Sequence, residues 1–381
     1  MFNLNDYLKW RGDLNFDQDE FNDIDSLILA RFSYFPFNKI KMDDEECIGS
    51  VSQKMKKLEE SDFGWPDDKE LSLLLGKSER FKNLKVLDFV NNDDREAQRQ
   101  FSAIAVQLKN EEFYISYCGT NATLYGWKED FNMSFQKNVP AQKYGLEYLE
   151  NFSNKHTGKL RLGGHSKGGN IAVYASTLCN SSIQDRILRV TNYDGPGLDK
   201  TLIDTDGYKN VIKKIVTYVP QGSVIGRVLE HEEKIEIVKS NAKGLYQHDV
   251  YSWEVMGKEL VRVKTNSDSS NLINATVRNW LKETTPEQRK IFVDSVYEVI
   301  EASEAEYTKD LSSSIMKNLN KVSKAYRELS KDDKNIIGNN INEAVKSFRL
   351  VLSEMAKEKA SEGKAKGNEF LEKIKNKIKK D

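Results

Sequence analysis

Ser166 stands between two glycines in Leu160-Arg-Leu-Gly-Gly-His-Ser-Lys-Gly-Gly-Asn-Ile-Ala-Val173, and a serine so placed is a candidate nucleophile. Leu160 and Leu162 read as a short apolar strand, Gly163 and Gly164 permit a sharp bend, and Ile171, Ala172 and Ala175 begin a helical pattern. The Gly164-x-Ser166-x-Gly168 spacing fits an elbow that holds the hydroxyl clear at the carboxyl end of the strand. A helix amino terminus beneath it favours developing negative charge. The other reading is a glycine-rich phosphate-binding turn, but the chain has no G-x-x-x-x-G-K-[ST] run.

A serine hydroxyl needs a base, and the base needs an acceptor that fixes its tautomer. Behind a nucleophile elbow the usual chain order is serine, acid, histidine. Of the four histidines, His156 precedes the serine and His165 sits inside the turn, pointing away from its neighbour's hydroxyl. His231 lies in Glu230-His-Glu-Glu233, which reads as a solvated turn, and His248 follows the last strand. His248 is the expected base. Asp194, after the first strand beyond the elbow, is the candidate acid, with a structural turn residue as the other reading. Ser223, after the second strand, can only hydrogen-bond, and Asp249 would have to fold back on its neighbour.

A tetrahedral oxyanion needs two backbone donors aimed at one point. Lys167, next to the nucleophile, is one expected donor. Thr120, in the loop after the strand that ends at Cys118, is the other, and its hydroxyl is a candidate third. Tyr125 and Trp127 read either as a lid or acyl-pocket wall or as core aromatics.

These residues need a sheet to position them, and the pattern supplies one. Leu84–Val90, Ser102–Leu108 and Phe113–Cys118 read as strands, the last two as a hairpin; Arg186–Tyr193, Lys213–Val219 and Lys234–Val238 follow the elbow. A helix over Ala141–Asn154 precedes the elbow strand, and Ile24, Leu27, Leu29, Phe32 and Phe35 predict another that Pro36 stops. Strands alternating with helices around such an elbow predict an α/β-hydrolase fold with a mostly parallel sheet, its site at the strands' carboxyl ends. Residues 1–265 form this expected domain. Helical spacing after Thr284-Thr-Pro-Glu-Gln and after Ser330-Lys-Asp-Asp makes 271–381 an expected helical extension with a basic tail.

With 381 residues and 38% hydrophobic content the chain can fill a real core, and a formal charge of −1 gives no net basic field for nucleic acid. Cys47, Cys118 and Cys179 are too few and too scattered for a disulfide framework or zinc site. The acidic run Asp43–Glu46 lacks partners at metal-ligand spacing and reads as a solvated helix start. No metal or cofactor is expected. The amino terminus lacks a secretory pattern and no apolar run approaches the roughly 18 residues of a bilayer span, so the expected location is cytoplasmic.

The blocks Ile115-Ser-Tyr-Cys-Gly-Thr120, Trp127-Lys-Glu-Asp130, Gly164-His-Ser-Lys-Gly168, Tyr193-Asp-Gly-Pro196 and Gln247-His-Asp249 resemble, in order, those of class 3, fungal-type lipases. The chain is most similar to a bacterial α/β-hydrolase family of unknown function within that group, over roughly residues 20–260. The resemblance implies Ser166 as nucleophile, His248 as base, and Thr120 and Lys167 as oxyanion donors. It departs at Cys118, where the family usually has arginine, and at Ser223, near the family's usual aspartate. The expected activity is hydrolysis of a small-molecule or lipid carboxylic ester through an acyl-enzyme. The alternative is a hydrolase-fold binding or scaffold protein with weak or no catalysis. Phe370, Leu371, Ile374 and Ile378 opposite Lys373, Lys375, Lys377, Lys379 and Lys380 make the tail a candidate peripheral membrane contact.

Overall fold

The computed structural model describes residues 2–264 apart from 95, 97, 98, 110 and 122, together with 281, 284–305 and scattered positions up to 338. The basic tail with its candidate membrane face lies outside the described residues, as does the boundary expected between 265 and 271.

Seven strands form one sheet in sequential order: β1 Lys85–Asn91, β2 Ser102–Lys109, β3 Glu112–Tyr117, β4 Lys159–His165, β5 Ile187–Tyr193, β6 Ile215–Pro220 and β7 Lys234–Val238. β1, β2 and β3 pair antiparallel, with the expected β2–β3 hairpin, and β3 through β7 pair parallel. This is the mostly parallel α/β-hydrolase sheet that the pattern predicts.

Helices cover both faces. The crossovers between parallel strands are α6 Pro140–Lys155, α7 Lys167–Leu178 and the shorter segments Ser181–Arg186, Lys200–Ile203 and Asp206–Val211. Parallel crossovers share one hand, so strands laid down in sequential order put their helices on the same face. There Phe113, Ile115 and Leu162 meet Leu149, Phe152, Ile171 and Tyr208 in one buried cluster. The opposite face falls to the amino-terminal helices α1 Leu4–Arg11, α2 Asp23–Phe32, α3 Ile48–Met55 and α4 Asp68–Lys77. Ile104, Val106 and Tyr114, alternating along β2 and β3 with the residues of the first face, pack there against Leu27, Ile28, Phe32 and Trp253. Burying each such large side chain contributes about 1.5–3 kcal/mol.

Two local expectations change. The helix predicted to run to Pro36 ends at Phe32, because Ser33 donates to the Ala30 carbonyl at 2.8 Å and Tyr34 N and Phe35 N make tighter three-residue turns at 3.0 and 3.1 Å. That turn sends Tyr34 toward the elbow. The acidic run is solvated at Asp43, Asp44 and Glu45 but is not itself a helix start: α3 begins at Ile48, and Glu46 is buried, paired to Lys54 at 2.7 Å and bonded to Ser50.

A two-stranded ribbon, β8 Val255–Met256 and β9 Glu259–Leu260, follows the segment that carries His248. Gly257, at φ +62°, makes its reversal, which is too short to register as periodicity. The helix Pro286–Glu301, expected within the carboxyl-terminal extension, is opened by a Thr285 capping box. It lies against α5 Leu124–Asn132: Arg289 Nε donates to the Ser134 carbonyl at 2.7 Å, and Phe131 faces Tyr297 at 6.4 Å. Among the described residues no helix is long and apolar enough to cross a membrane.

Candidate active site

Ser166 joins β4 to α7 with φ +58° and ψ −134°, a conformation that non-glycine residues adopt only under constraint. The constraint is close packing. A Cβ on Gly164 would come within 2.3 Å of the Gly168 backbone, and one on Gly168 within 2.0 Å of the Tyr117 carbonyl. Only glycines let the start of α7 sit this tightly against β3 and β4. Ser166 N donates to the Tyr193 carbonyl at 2.9 Å and Asp194 N to the Tyr218 carbonyl at 2.8 Å, so the ends of β4, β5 and β6 step toward one another.

Asp194 follows β5 at φ +53°, a second strained position, and is buried. His248 Nδ1 lies 2.7 Å from Asp194 Oδ2, and the Ser223 hydroxyl donates to Asp194 Oδ1. With Nδ1–H donated to the carboxylate, the neutral imidazole carries its lone pair on Nε2. Neither Nε2 nor the Ser166 hydroxyl has a hydrogen-bond partner among the described residues, and both residues are partly exposed. The His248 segment is pinned from below: Gln247 Oε1 accepts from Gly222 N at 2.8 Å, and the Gln247 carbonyl accepts from the Trp253 indole at 2.8 Å.

The His165 ring bonds away from the Ser166 hydroxyl, as its place in the turn implies, and supports the histidine opposite. Its Nε2 bonds the His248 carbonyl at 2.8 Å, and the two rings lie 4.4 Å apart. Tyr34 holds the other side: its hydroxyl donates to the His165 carbonyl at 2.9 Å and lies 3.3 Å from His165 Nδ1. Burial, and then the neighbouring His248, push the His165 pKa well below the ordinary histidine value, so the ring stays neutral.

On the other side of Ser166, the backbone N–H groups of Thr120 and Lys167 have no hydrogen-bond partner among the described residues. A Cβ on Gly119 would come 3.1 Å from that of Ser166, so the Thr120 loop lies directly beside the candidate nucleophile. The Thr120 hydroxyl is not a free third donor. It is bracketed by both oxygens of Asp130 at 2.7 and 2.6 Å. Trp127 is 44% exposed on α5, which removes its reading as a core aromatic, whereas Tyr125 is half-buried. Cys118 is buried, and burial pushes its thiol up to about 12, leaving no competing thiolate.

Sequence reasoning missed the Lys167 side chain. It is 1% exposed and pairs with Glu129, itself 0% exposed, at 2.8 Å. A lysine opening an otherwise apolar buried helix was the available signal, because a buried ammonium requires a carboxylate partner.

His231 does not lie in a solvated turn. Its ring is 6% exposed and Nδ1 sits 2.8 Å from Glu233 Oε1, while Tyr208 donates to Glu233 Oε2 at 2.7 Å. Burial raises the Glu233 pKa, but the bonds from His231, Thr217 and Tyr208 outweigh it and hold it at about 2, against an ordinary 4.5. As pH falls the unfolded chain therefore takes up this proton first. The contribution is complete above about pH 4.5 and is lost as pH drops toward 2. Urea unfolding of Glu233→Gln should show a shallower loss of stability across that window than the wild type; equal slopes would contradict it.

A cavity of about 310 Å³ lies elsewhere, between α2 and the sheet, lined by Asp23, Tyr114, Arg161, Arg189 and Arg262 among others and by neither Ser166 nor His248. Its arginines are matched by Glu112, Asp23, Glu236 and Glu259, and its Lys258 by Asp19, so no cation in its wall stands without a carboxylate.

Among solved structures the chain is similar to M37 lipase (16% identity over 53% of this chain and 68% of that one, TM-score 0.36). It is also similar to lipase II from Rhizopus niveus (14%, 56% and 78%, TM-score 0.36). A third likeness is to a fungal lipase–inhibitor complex (11%, 57% and 78%, TM-score 0.38). These likenesses are too distant to bear on the site. No curated protein matches the chain. The Mbeg1-like family model matches residues 75–298, from α4 through the elbow, Asp194 and His248 into the helix Pro286–Glu301, and the protein belongs to the Mbeg1-like family.

Proposed function

We propose that this protein is a lipase-like serine hydrolase that cleaves a carboxylic ester, small or lipid, through an acyl-enzyme on Ser166. The observation that carries this reading is the 2.7 Å pairing of His248 Nδ1 with buried Asp194, beside a serine held at φ +58° on a strand-to-helix elbow. His248 Nε2 takes the Ser166 proton as Oγ attacks the ester carbonyl. Asp194 stabilises the imidazolium that forms. The backbone N–H groups of Thr120 and Lys167 receive the oxyanion, and His248 returns the proton to the departing alcohol. Water then repeats the sequence on the acyl-enzyme and frees the acid.

Asp194 takes the place of an aspartate at 223, and Ser223 becomes its hydrogen-bond donor. A binding module without turnover is the reading that a missing acid would favour, and a carboxylate already on His248 speaks against it. Ser223→Ala should lower kcat about tenfold with KM little changed, the loss expected for one hydrogen bond to a charged group. Steady-state kinetics on a short-chain p-nitrophenyl ester would measure this.

The reading is tested by covalent labelling with a fluorophosphonate probe, which needs an activated serine and little else. Wild type should label and Ser166→Ala should not. Folded wild type that stays unlabelled would overturn the reading.

A further inference from the structure

We infer that Lys167 is a positioning residue: its buried pairing with the carboxylates of α5 holds the Thr120 loop, and so both oxyanion donors, in register. This inference rests on the serine-hydrolase reading above.

The Lys167 ammonium lies 2.8 Å from Glu129, 3.6 Å from Asp130 and 3.3 Å from Gln100 Oε1. Each partner is tied to the loop or to its frame. Asp130 holds the Thr120 hydroxyl. Gln100 accepts from Asn121 N at 3.0 Å and donates to the Gly119 carbonyl at 3.2 Å. Glu129 accepts from Gln100 N at 3.1 Å and from Ala141 N, in the first turn of α6, at 2.8 Å. Three successive loop residues, Gly119, Thr120 and Asn121, are thus fastened by side chains that converge on one ammonium.

This matters because Gly119, Thr120 and Asn121 belong to no helix or strand, so nothing in the backbone ladder fixes the Thr120 N–H. An oxyanion donor displaced by about 1 Å costs about 10²-fold in rate. The other donor is the backbone N–H of Lys167 itself, so one residue presents a donor and also anchors the loop that presents its partner. Charge adds a second reason. Two carboxylates beside a developing oxyanion oppose it, and Lys167 offsets them in a buried setting where the interaction is strong. Burial disfavours the Lys167 charge, yet Asp130 and Glu129 outweigh it and raise its pKa, so the ammonium persists.

The test compares wild type with Lys167→Met and Thr120→Val, with urea unfolding to establish folding. The readouts are kcat and KM on a p-nitrophenyl ester and the affinity of a trifluoromethyl ketone, whose hemiketal anion occupies the oxyanion position. Lys167→Met should lower kcat and trifluoromethyl ketone affinity together by about 10²-fold, with KM within about twofold. Thr120→Val removes only the tether, at a part-exposed position, and should lower both by about tenfold. It decides the matter if Lys167→Met does not fold. Folded variants with kcat and inhibitor affinity within about twofold of wild type, or with KM alone changed, overturn the inference while wild-type turnover keeps the hydrolase reading intact. Absent labelling and turnover in wild type would overturn both.

Discussion

Ser166→Ala is expected to lower kcat about 10⁶-fold and Asp194→Asn about 10⁴-fold, with both variants folded like the wild type. The two numbers differ for a physical reason. Without the hydroxyl no acyl-enzyme forms, and what remains is binding and the oxyanion donors. Asparagine keeps the shape at 194, but its amide can turn N–H groups toward His248 Nδ1, which favours the tautomer with the proton on Nε2 and leaves no lone pair there for the serine. Ser223 already donates to one oxygen of Asp194, so the asparagine oxygen is drawn to Ser223 and the amide nitrogen to the histidine. Steady-state kinetics on the p-nitrophenyl ester, with unfolding curves as the folding control, would measure both. An Asp194→Asn enzyme within tenfold of wild type would show that the carboxylate is a turn residue and that the histidine is oriented by other means.

The second large effect concerns stability. Arg31 and Asp68 form a two-point ion pair, 2.6 Å at each contact, with side chains 1% and 0% exposed. The Arg31 guanidinium lies over the rings of Tyr34 and Trp65 at 4.2 and 4.4 Å. Asp68 also accepts from the Tyr251 hydroxyl at 2.8 Å and from Trp65 N at 2.9 Å. The pair therefore joins α2, α4 and the segment just beyond His248. Asp68→Ala leaves a buried guanidinium without its counter-ion and should destabilise the fold by about 3–5 kcal/mol. Replacing both, as Arg31→Met with Asp68→Leu, should cost less than the single change, because the desolvated charge goes with its partner. Urea midpoints at unchanged m-value would measure both. A double variant less stable than Asp68→Ala would mean that the pair itself, rather than the orphaned charge, dominates.

How legible the site was depends on where each residue draws its position. Ser166 was legible because the glycines around it are needed by contacts between strand β4, the turn and helix α7, all within a few residues of the serine. The place of His248 at the sheet's carboxyl edge was legible from its order in the chain, since the last strand must end where that edge lies. Asp194 stood open between acid and turn residue, because a sequence does not tell whether β5 or β6 brings its following loop against the histidine. His231 was misread for a related reason: its neighbours in sequence are charged, while its partners in space, Thr217 and Tyr208 through Glu233, come from a strand and a helix earlier in the chain.

By itself, then, the sequence determined the alternation of strands and helices, the elbow and the residue types fit for nucleophile and base, because each depends on periodicity or on contacts between near neighbours in the chain. The tertiary structure decided what depends on distant segments. It put the amino-terminal helices on the face that one-handed crossovers leave bare. It set Asp194 against His248 with Ser223 behind it. It closed Lys167 over Glu129, 38 residues earlier in the chain. Burial and charge compensation act between surfaces, and which surfaces meet is fixed only when the sheet has formed.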